Sequence, residues 1–378
     1  MRNNLAGRLV VGGAVLVILI GIALRFVIPS PQAGAKGPTK ISSEPQYSPA
    51  RTFSLRSPPS PPEEDPAAPG DEQIDQLLPR DKIEQYLTLH HRDAASLLAA
   101  FCASDIVFGN RQYLREAATN FPGNPRVQLA VLSKNLYPQE RRKWLEAFKS
   151  SSPSNSLAFY LSAEDHFKSD QPKAAINELL AASRQPEFQD YAMQSWLGTE
   201  ELFRFTGESP LFSSMAALSA SQNLVTLSKL RNVADSIHEL QAEYVERGDS
   251  ASVQNLSEFG VGLAQRLVRG NAGKFVGNQS VGLAIERDLL QALDQSTPYS
   301  FLNGKTPAQR LDEIQQTRAD IREVIKSYSA FFEIPEQEMG NEMEREMFDY
   351  LERIKATGEL EAGRWLAERA KAKSKSGD

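Results

Sequence analysis

The chain has 378 residues, a formal net charge of -6 and a single cysteine, Cys102. The acidic balance argues against the basic surface that binding to nucleic-acid phosphates requires, and one cysteine excludes an intramolecular disulfide. The length is sufficient for one or two domains with their own cores. We therefore expect no nucleic-acid partner and a fold stabilised by packing.

The first predicted element is an apolar segment from Leu9 to Ile28, in which Arg25 is the one charged residue. At about 1.5 Å per residue, a helix of this length spans the roughly 30 Å hydrocarbon core of a bilayer. We predict that residues 1–28 form a tail and a single signal-anchor helix. The N-terminus is expected in the cytoplasm and the C-terminal part in the periplasm or at the cell surface. The alternative is secretion after signal-peptide cleavage near Ala35, because Ala33-Gly34-Ala35 has suitably small residues.

A proline-rich linker is predicted to follow, over residues 29–80. Half of the 22 prolines lie between residues 29 and 70, where apolar periodicity is almost lost. Proline fixes φ and removes a backbone donor, so this stretch favours extended, disordered chain. A spacer is the favoured interpretation, and a proline-rich docking peptide around Pro58-Pro59-Ser60-Pro61-Pro62 is the alternative.

From about Glu72 onward, apolar residues recur in steps of three and four, which predicts an all-α fold. A second signal is Thr306-Pro307-Ala308-Gln309, a capping-box pattern with proline at the first helical position, which predicts a helix that stops before Pro335. Two helical faces carry the clearest pattern: Leu227, Leu230, Ala234, Ile237, Leu240 and Tyr244 in one, and Leu311, Ile314, Ile321, Ile325, Tyr328 and Phe332 in the other.

The first half of the helical region shows a repeat. Pro122, Pro153 and Pro186 recur at intervals of about 30 residues, each after a short amphipathic helix. The chain here resembles the tetratricopeptide repeat, a helix hairpin with small residues at the helix crossing and a proline near its end. The matching residues are Leu161, Ala174, Ala181 and Pro186 in one unit and Leu97, Leu114, Ala117 and Pro122 in an earlier one.

This resemblance implies TPR-like hairpins over residues 81–190, forming a solenoid. Residues 191–378 are expected to continue it as a second region of irregular helical hairpins, with a short disordered basic tail that includes Lys371. By the family's pattern, first-helix residues line a partner-binding groove, which here means Phe159, Ala163 and His166. An ordinary irregular helical domain is the alternative fold.

The sequence offers no catalytic signature. The four histidines, His90, His91, His166 and His238, have no His, Cys, Asp or Glu partner at a convincing metal-ligand spacing. The segment Gly270-Asn271-Ala272-Gly273-Lys274 lacks the hydroxyl that a phosphate loop supplies to magnesium, since Phe275 follows. The glycines here and at Gly260 and Gly262 are expected to mark close helix contacts or loops. We therefore predict no cofactor, no metal and no enzymatic activity.

These observations favour a membrane-tethered, extracytoplasmic helical scaffold that binds a protein or peptide partner and contacts the membrane through residues 9–28. One alternative is an all-α envelope hydrolase that uses carboxylate acid and base residues. The other is a purely structural envelope spacer, in which the anchor and linker matter more than any groove.

Overall fold

The computed structural model describes residues 78–108, 111–221, 224–332 and 341–376. Within these residues the secondary structure is helical, with one isolated β-bridge between Asn155 and Glu187. The predicted all-α class is confirmed. The helices are α1 (Arg80–Leu89), α2 (Ala94–Phe108), α3 (Gln112–Asn120), α4 (Pro125–Lys134), α5 (Arg141–Ser151), α6 (Ser156–Lys168), α7 (Pro172–Ser183), α8 (Ala192–Phe205), α9 (Pro210–Ser221), α10 (Leu224–Glu246), α11 (Ser250–Val268), α12 (Val276–Leu290), α13 (Pro307–Phe332), α14 (Asn341–Thr357) and α15 (Glu359–Ser376).

The predicted membrane segment and most of the predicted linker lie outside the described residues. None of the described helices has the length and apolar character needed to cross a bilayer. The linker prediction extended to residue 80, whereas Leu78 is fully buried and α1 begins at Arg80. The packed part of the chain therefore starts before the predicted boundary.

Local sequence signals explain several helix starts. The Asn124 side chain accepts hydrogen bonds from the backbone N–H groups of Arg126 and Val127, and Pro125 occupies the first turn of α4. At the start of α13, the Gln309 N–H donates to Thr306 Oγ1 and the Thr306 N–H donates to Gln309 Oε1, at 3.2 and 3.0 Å. The predicted capping box is therefore present and satisfies two donors at the helix end.

Helices α2 to α7 contact one another in chain order, each packing on the next. After α7 this order breaks, because α8 packs back against α1 and α2. Gly198 of α8 faces α2 at this return, since a Cβ there would lie 3.7 Å from Ala99 Cβ, an ordinary van der Waals distance. The hairpins resemble the predicted repeats in their order, and the TPR-like assignment stays a prediction.

Helix α10 packs on α4 and α6, so it lies against the first helices of two hairpins. We call the side of α2, α4 and α6 that faces α8 and α10 the inner face. The predicted apolar face of α10 is confirmed, with Leu230, Ala234 and Ile237 almost fully buried. In the predicted face of α13, Ile314 and Ile321 are likewise buried. Tyr328 and Phe332 of that face lie outside the residues whose side chains are described.

Helices α11 and α12 approach each other closely. A Cβ at Gly260 would lie 2.1 Å from Leu289 Cδ1, and one at Gly282 would lie 2.7 Å from the Ala264 carbonyl oxygen. The absence of a side chain at these positions allows the two helices to meet. The expectation of a close helix contact is confirmed at Gly260, whereas nothing lies within 4 Å of the corresponding point at Gly262.

Two arginines join elements that are distant in sequence. Arg266 of α11 donates to the carbonyl oxygens of Ala182 and Gln185 at the C-terminal end of α7, at 3.2 and 2.7 Å. Arg310 of α13 forms a two-point ion pair with Glu286 of α12, at 2.7 and 2.8 Å, and Glu286 is fully buried. Cations suit the C-terminal end of a helix and a buried carboxylate requires a partner, so both arginines stabilise the packing of these helices.

Candidate functional site

The three predicted groove residues form one row on α6 that faces α5. Lys149 of α5 lies over the half-buried Phe159 ring, with Nζ 5.7 Å from its centroid. His166 Nδ1 lies 3.0 Å from an Arg142 guanidinium nitrogen, also on α5. Ala163 is fully buried. The structure therefore brings the three residues together, but a partner cannot touch Ala163 in this conformation.

A cluster of charges fixes α6 against α5. Arg141 contacts Glu164 at 3.3 Å and Asp165 at 3.1 Å, and Arg142 contacts Asp165 at 2.6 Å. Glu164 is almost fully buried and also pairs with Lys168 at 2.5 Å. The polar side chains of Glu164 and Asp165, which resemble a catalytic cluster in sequence, are thus engaged in ion pairs between neighbouring helices.

Lys229 attaches α10 to the inner face. Its Nζ donates to the carbonyl oxygen of Leu132 at 2.6 Å, and beside it Ser133 Oγ and Thr226 Oγ1 lie 3.0 Å apart. Burial, and then the nearby Arg141 charge, lower the pKa of Lys229 from 10.5 to about 8. Helix α10 therefore covers part of the surface on which an extended peptide would lie in an open stack of hairpins.

An opening remains beside α10. A cavity of about 280 Å³ lies between α2, α4, the segment before α8, and the α9–α10 region. Its apolar wall includes Leu98, Phe101 and Leu129, all deeply buried. Polar side chains stand on the other walls: Arg126, Ser133, Lys134, Asp190, Tyr191, Ser195 and Ser221.

Arg126 is distinctive among the cavity residues. Its Nε is buried and has no hydrogen-bond partner, and none of the ion pairs among the described residues includes it. Burial lowers its pKa from the ordinary value of 12.5. Lys134, in contrast, pairs with Asp105 at 2.6 Å. Among the described residues, Arg126 is therefore a cation at this cavity without a carboxylate in ion-pair contact, although the charge of Asp93 acts on it from a greater distance.

Two residues before α8 shape the opposite wall. Asp190 accepts hydrogen bonds from the Ala192 N–H and from Asn278 Nδ2, both at 3.2 Å, while burial raises its pKa. Tyr191 has a φ of 56°, in the left-handed region that bulky residues rarely adopt. Such backbone conformations cost free energy and cluster at ligand-contacting sites.

Cys102 also lines this cavity, and its thiol is unreactive. Burial raises the pKa of its thiol to about 11. A thiol with so high a pKa is almost entirely protonated near neutral pH, whereas the thiolate is the nucleophile. Cys102 therefore acts as a packed residue in the cavity wall and not as a nucleophile.

A different surface is apolar and exposed. Leu89 at the end of α1 is 64% exposed, and Leu197 and Phe205 on α8 are 49% and 38% exposed. The Tyr86 and Phe205 rings join the two helices with their centroids 5.5 Å apart. We call Leu89, Leu197 and Phe205 the α1–α8 edge. His90 and Glu201, 3.6 Å apart, border it with polar groups.

In the other clusters of titratable side chains, the charged groups form ion pairs with one another. In a second cavity of about 240 Å³, between α10 and α12, Arg231 pairs with Asp235 at 2.9 Å and with Asp288 at 2.6 Å. His238 lines the same cavity. Across the part of the chain that the structure describes, no group of three His, Cys, Asp or Glu side chains is placed to hold a metal ion.

Sequence reasoning identified neither the cavity nor the α1–α8 edge. Arg126 follows a helix cap in Asn124-Pro125-Arg126, a position that usually faces solvent. The cavity residues come from α2, α4, α8 and α10, and no local pattern links them. Comparison with known protein families, with curated proteins and with solved structures finds no match.

Proposed function

We propose that this protein is a non-catalytic helical scaffold that docks a protein partner outside the cytoplasm. The observation that carries the proposal is the α1–α8 edge, where three large apolar side chains are exposed on two helices that pack together. Soluble proteins usually scatter such residues singly, and several exposed on one pair of neighbouring helices with polar groups among them are typical of interaction surfaces.

The α1–α8 edge suits docking better than the groove expected from the TPR-like resemblance. Helix α10 packs on α4 and α6 and covers part of the inner face. Ala163, at the centre of the expected groove, is fully buried. A partner therefore reaches the exposed edge without displacing a helix, whereas binding across α6 would first require the separation of α5 from α6.

The proposal retains the membrane tether over residues 9–28 and the spacer of residues 29–77. Such a tether holds the scaffold near the membrane and raises the effective concentration of a partner in the same membrane. Helices α2 to α7 pack as successive hairpins, and this order supports the TPR-like assignment as part of the proposal. Such hairpins commonly form docking scaffolds.

Crosslinking in cells tests the docking proposal. The full-length, tagged chain is crosslinked in its native membrane and its partners are identified by mass spectrometry, with Leu197→Glu and Phe205→Glu as edge variants. Val245→Glu is the matched control, since Val245 is 52% exposed on α10, away from the edge.

We expect a discrete partner that the Leu197→Glu and Phe205→Glu variants lose and the Val245→Glu variant keeps. Burying a new carboxylate in an apolar interface without a cation carries a large desolvation cost, so the loss should be nearly complete. A partner set that is identical in all variants would contradict docking at this edge and would favour the spacer role instead.

A further inference from the structure

The cavity beside α10 is lined by a guanidinium, that of Arg126, whose Nε has no acceptor within the described residues. Arg126 lines the cavity, its Nε is buried without a hydrogen-bond partner, and no carboxylate of the described residues lies in ion-pair contact with it. Folded proteins rarely leave a buried charged group unpaired, because its desolvation is costly. Arg126 is half-buried, and its buried Nε in the wall of a cavity is a donor that a bound acceptor could satisfy.

The other charged side chains around the cavity have hydrogen-bond or ion-pair partners within the protein. Lys134 pairs with Asp105 at 2.6 Å, and the two carboxylate oxygens of Asp190 accept from the Ala192 N–H and from Asn278. Cys102 is a neutral thiol at physiological pH because burial raises its pKa to about 11. Arg126 is the one cation in the cavity lining without an ion-pair contact to a carboxylate, so a ligand with one negative charge has a single cation to pair with.

The geometry of the Arg126 guanidinium favours a carboxylate ligand. A guanidinium presents its N–H donors in a planar fork that matches the two oxygens of a carboxylate. A phosphate monoester can also accept from this fork, but it carries close to two negative charges at neutral pH, for which the cavity offers one free cation. The balance of charge therefore selects a carboxylate over a phosphate.

The other half of the cavity is apolar. Leu98, Phe101 and Leu129 form a wall of almost fully buried carbon, and Leu224 of α10 extends it. A ligand that places hydrocarbon on this wall gains roughly 25 cal/mol for each Å² of apolar surface removed from water. The ligand is therefore expected to combine an acid group with an apolar body.

The size of the space indicates a small molecule rather than a length of polypeptide. A volume of about 280 Å³ lies at the lower end of small-molecule sites, which span roughly 300–1,000 Å³. Helix α10 packs on α4 and α6 beside the cavity, so an extended chain cannot continue along the inner face.

We propose that this cavity binds a small apolar carboxylic acid, whose carboxylate pairs with the Arg126 guanidinium and whose hydrocarbon body packs on Leu98, Phe101 and Leu129. The left-handed backbone of Tyr191 shapes the opposite wall of the cavity. This function goes beyond partner docking and uses residues outside the α1–α8 edge.

The test measures binding of three compounds to the purified full chain in detergent by ligand-observed NMR and calorimetry. Hexanoate carries both required groups, hexanamide has the same shape without the charge, and acetate has the charge without the hydrocarbon body. We expect hexanoate to bind with a Kd below about 1 mM and the other two to bind at least about tenfold more weakly.

Arg126→Met is the decisive variant, and Arg115→Met on the exposed side of α3 is its matched control. Arg126→Met should lose at least about tenfold in hexanoate affinity, whereas Arg115→Met should bind as the wild type does. Because Arg126→Met removes a desolvated charge, it should unfold at a urea concentration no lower than that of the wild type. A loss of hexanoate binding without a loss of stability would then show that Arg126 forms part of the binding site.

Several results would overturn the proposal. Equal affinity for hexanoate and hexanamide, or unchanged hexanoate binding by Arg126→Met, would exclude a carboxylate site at Arg126. Tighter binding of a leucine-terminated tripeptide than of hexanoate would assign the cavity to the end of a polypeptide instead. None of these outcomes affects the crosslinking result at the α1–α8 edge, so the two proposals fail separately.

Discussion

Replacing Lys229 with methionine tests whether α10 is attached to the inner face as the structure shows. Lys229 Nζ lies 2.6 Å from the Leu132 carbonyl oxygen, and burial lowers the pKa of this lysine from 10.5 to about 8. The folded state therefore releases the lysine proton at a lower pH than the unfolded state does. Between pH 8 and 10.5 the unfolded state binds more protons, so the contribution of Lys229 to the free energy of unfolding rises with pH.

The magnitude follows from the pKa difference. At 1.36 kcal/mol per pKa unit, a shift from 10.5 to about 8 gives roughly 2 to 3 kcal/mol between pH 7 and pH 10, after allowance for the partly accessible side chain. Below pH 8 both states are protonated and the destabilisation by Lys229 is complete. Methionine keeps approximately the length of the lysine side chain and removes the titratable amine.

The assay is urea denaturation of the full chain in detergent, followed by circular dichroism at several pH values from 7 to 10. The stability of the wild type relative to Lys229→Met should rise by roughly 2 to 3 kcal/mol over this range. Cys102 and Tyr160, whose pKa values burial raises to about 11 and about 12, lower stability as pH rises in both proteins and cancel in the difference. A difference that stays constant with pH would show that Lys229 is not buried against α4.

Two further substitutions test the arginines that join distant helices. Arg310→Met leaves the fully buried Glu286 without its partner and should lower the free energy of unfolding by about 3–5 kcal/mol, whereas the double variant with Glu286→Met should recover most of the loss. Urea denaturation measures both, and an additive double variant would contradict the ion pair. Arg266→Met removes the donors at the C-terminal end of α7 and should cost about 2 kcal/mol, and hydrogen exchange should increase first in α7. Unchanged exchange in α7 would contradict that role.

The helices were predictable because their signals are local. The face of α10 that includes Leu230 and Ile237 repeats every three or four residues, and the capping box at Thr306 lies within four residues. Each signal depends on the period of the helix and on neighbouring backbone groups. Helix class, several helix starts and buried faces therefore followed from the sequence.

The arrangement of the helices was less accessible. The row of Phe159, Ala163 and His166 has the spacing of a helix face, but spacing alone does not say whether α5 or solvent faces it. Nothing near Gly198 indicates that α8 returns to α2, because the partner position, Ala99, lies far away in sequence. The same holds for Arg126, whose isolation depends on walls formed by α2, α8 and α10.

The central claim is that the α1–α8 edge docks a protein partner, and the crosslinking yield of that partner in cells tests it most directly. With Phe205→Glu the yield should fall to background, while Val245→Glu should keep the wild-type yield, since both positions are exposed and receive the same charge. Equal yields from the two variants would contradict docking at this edge.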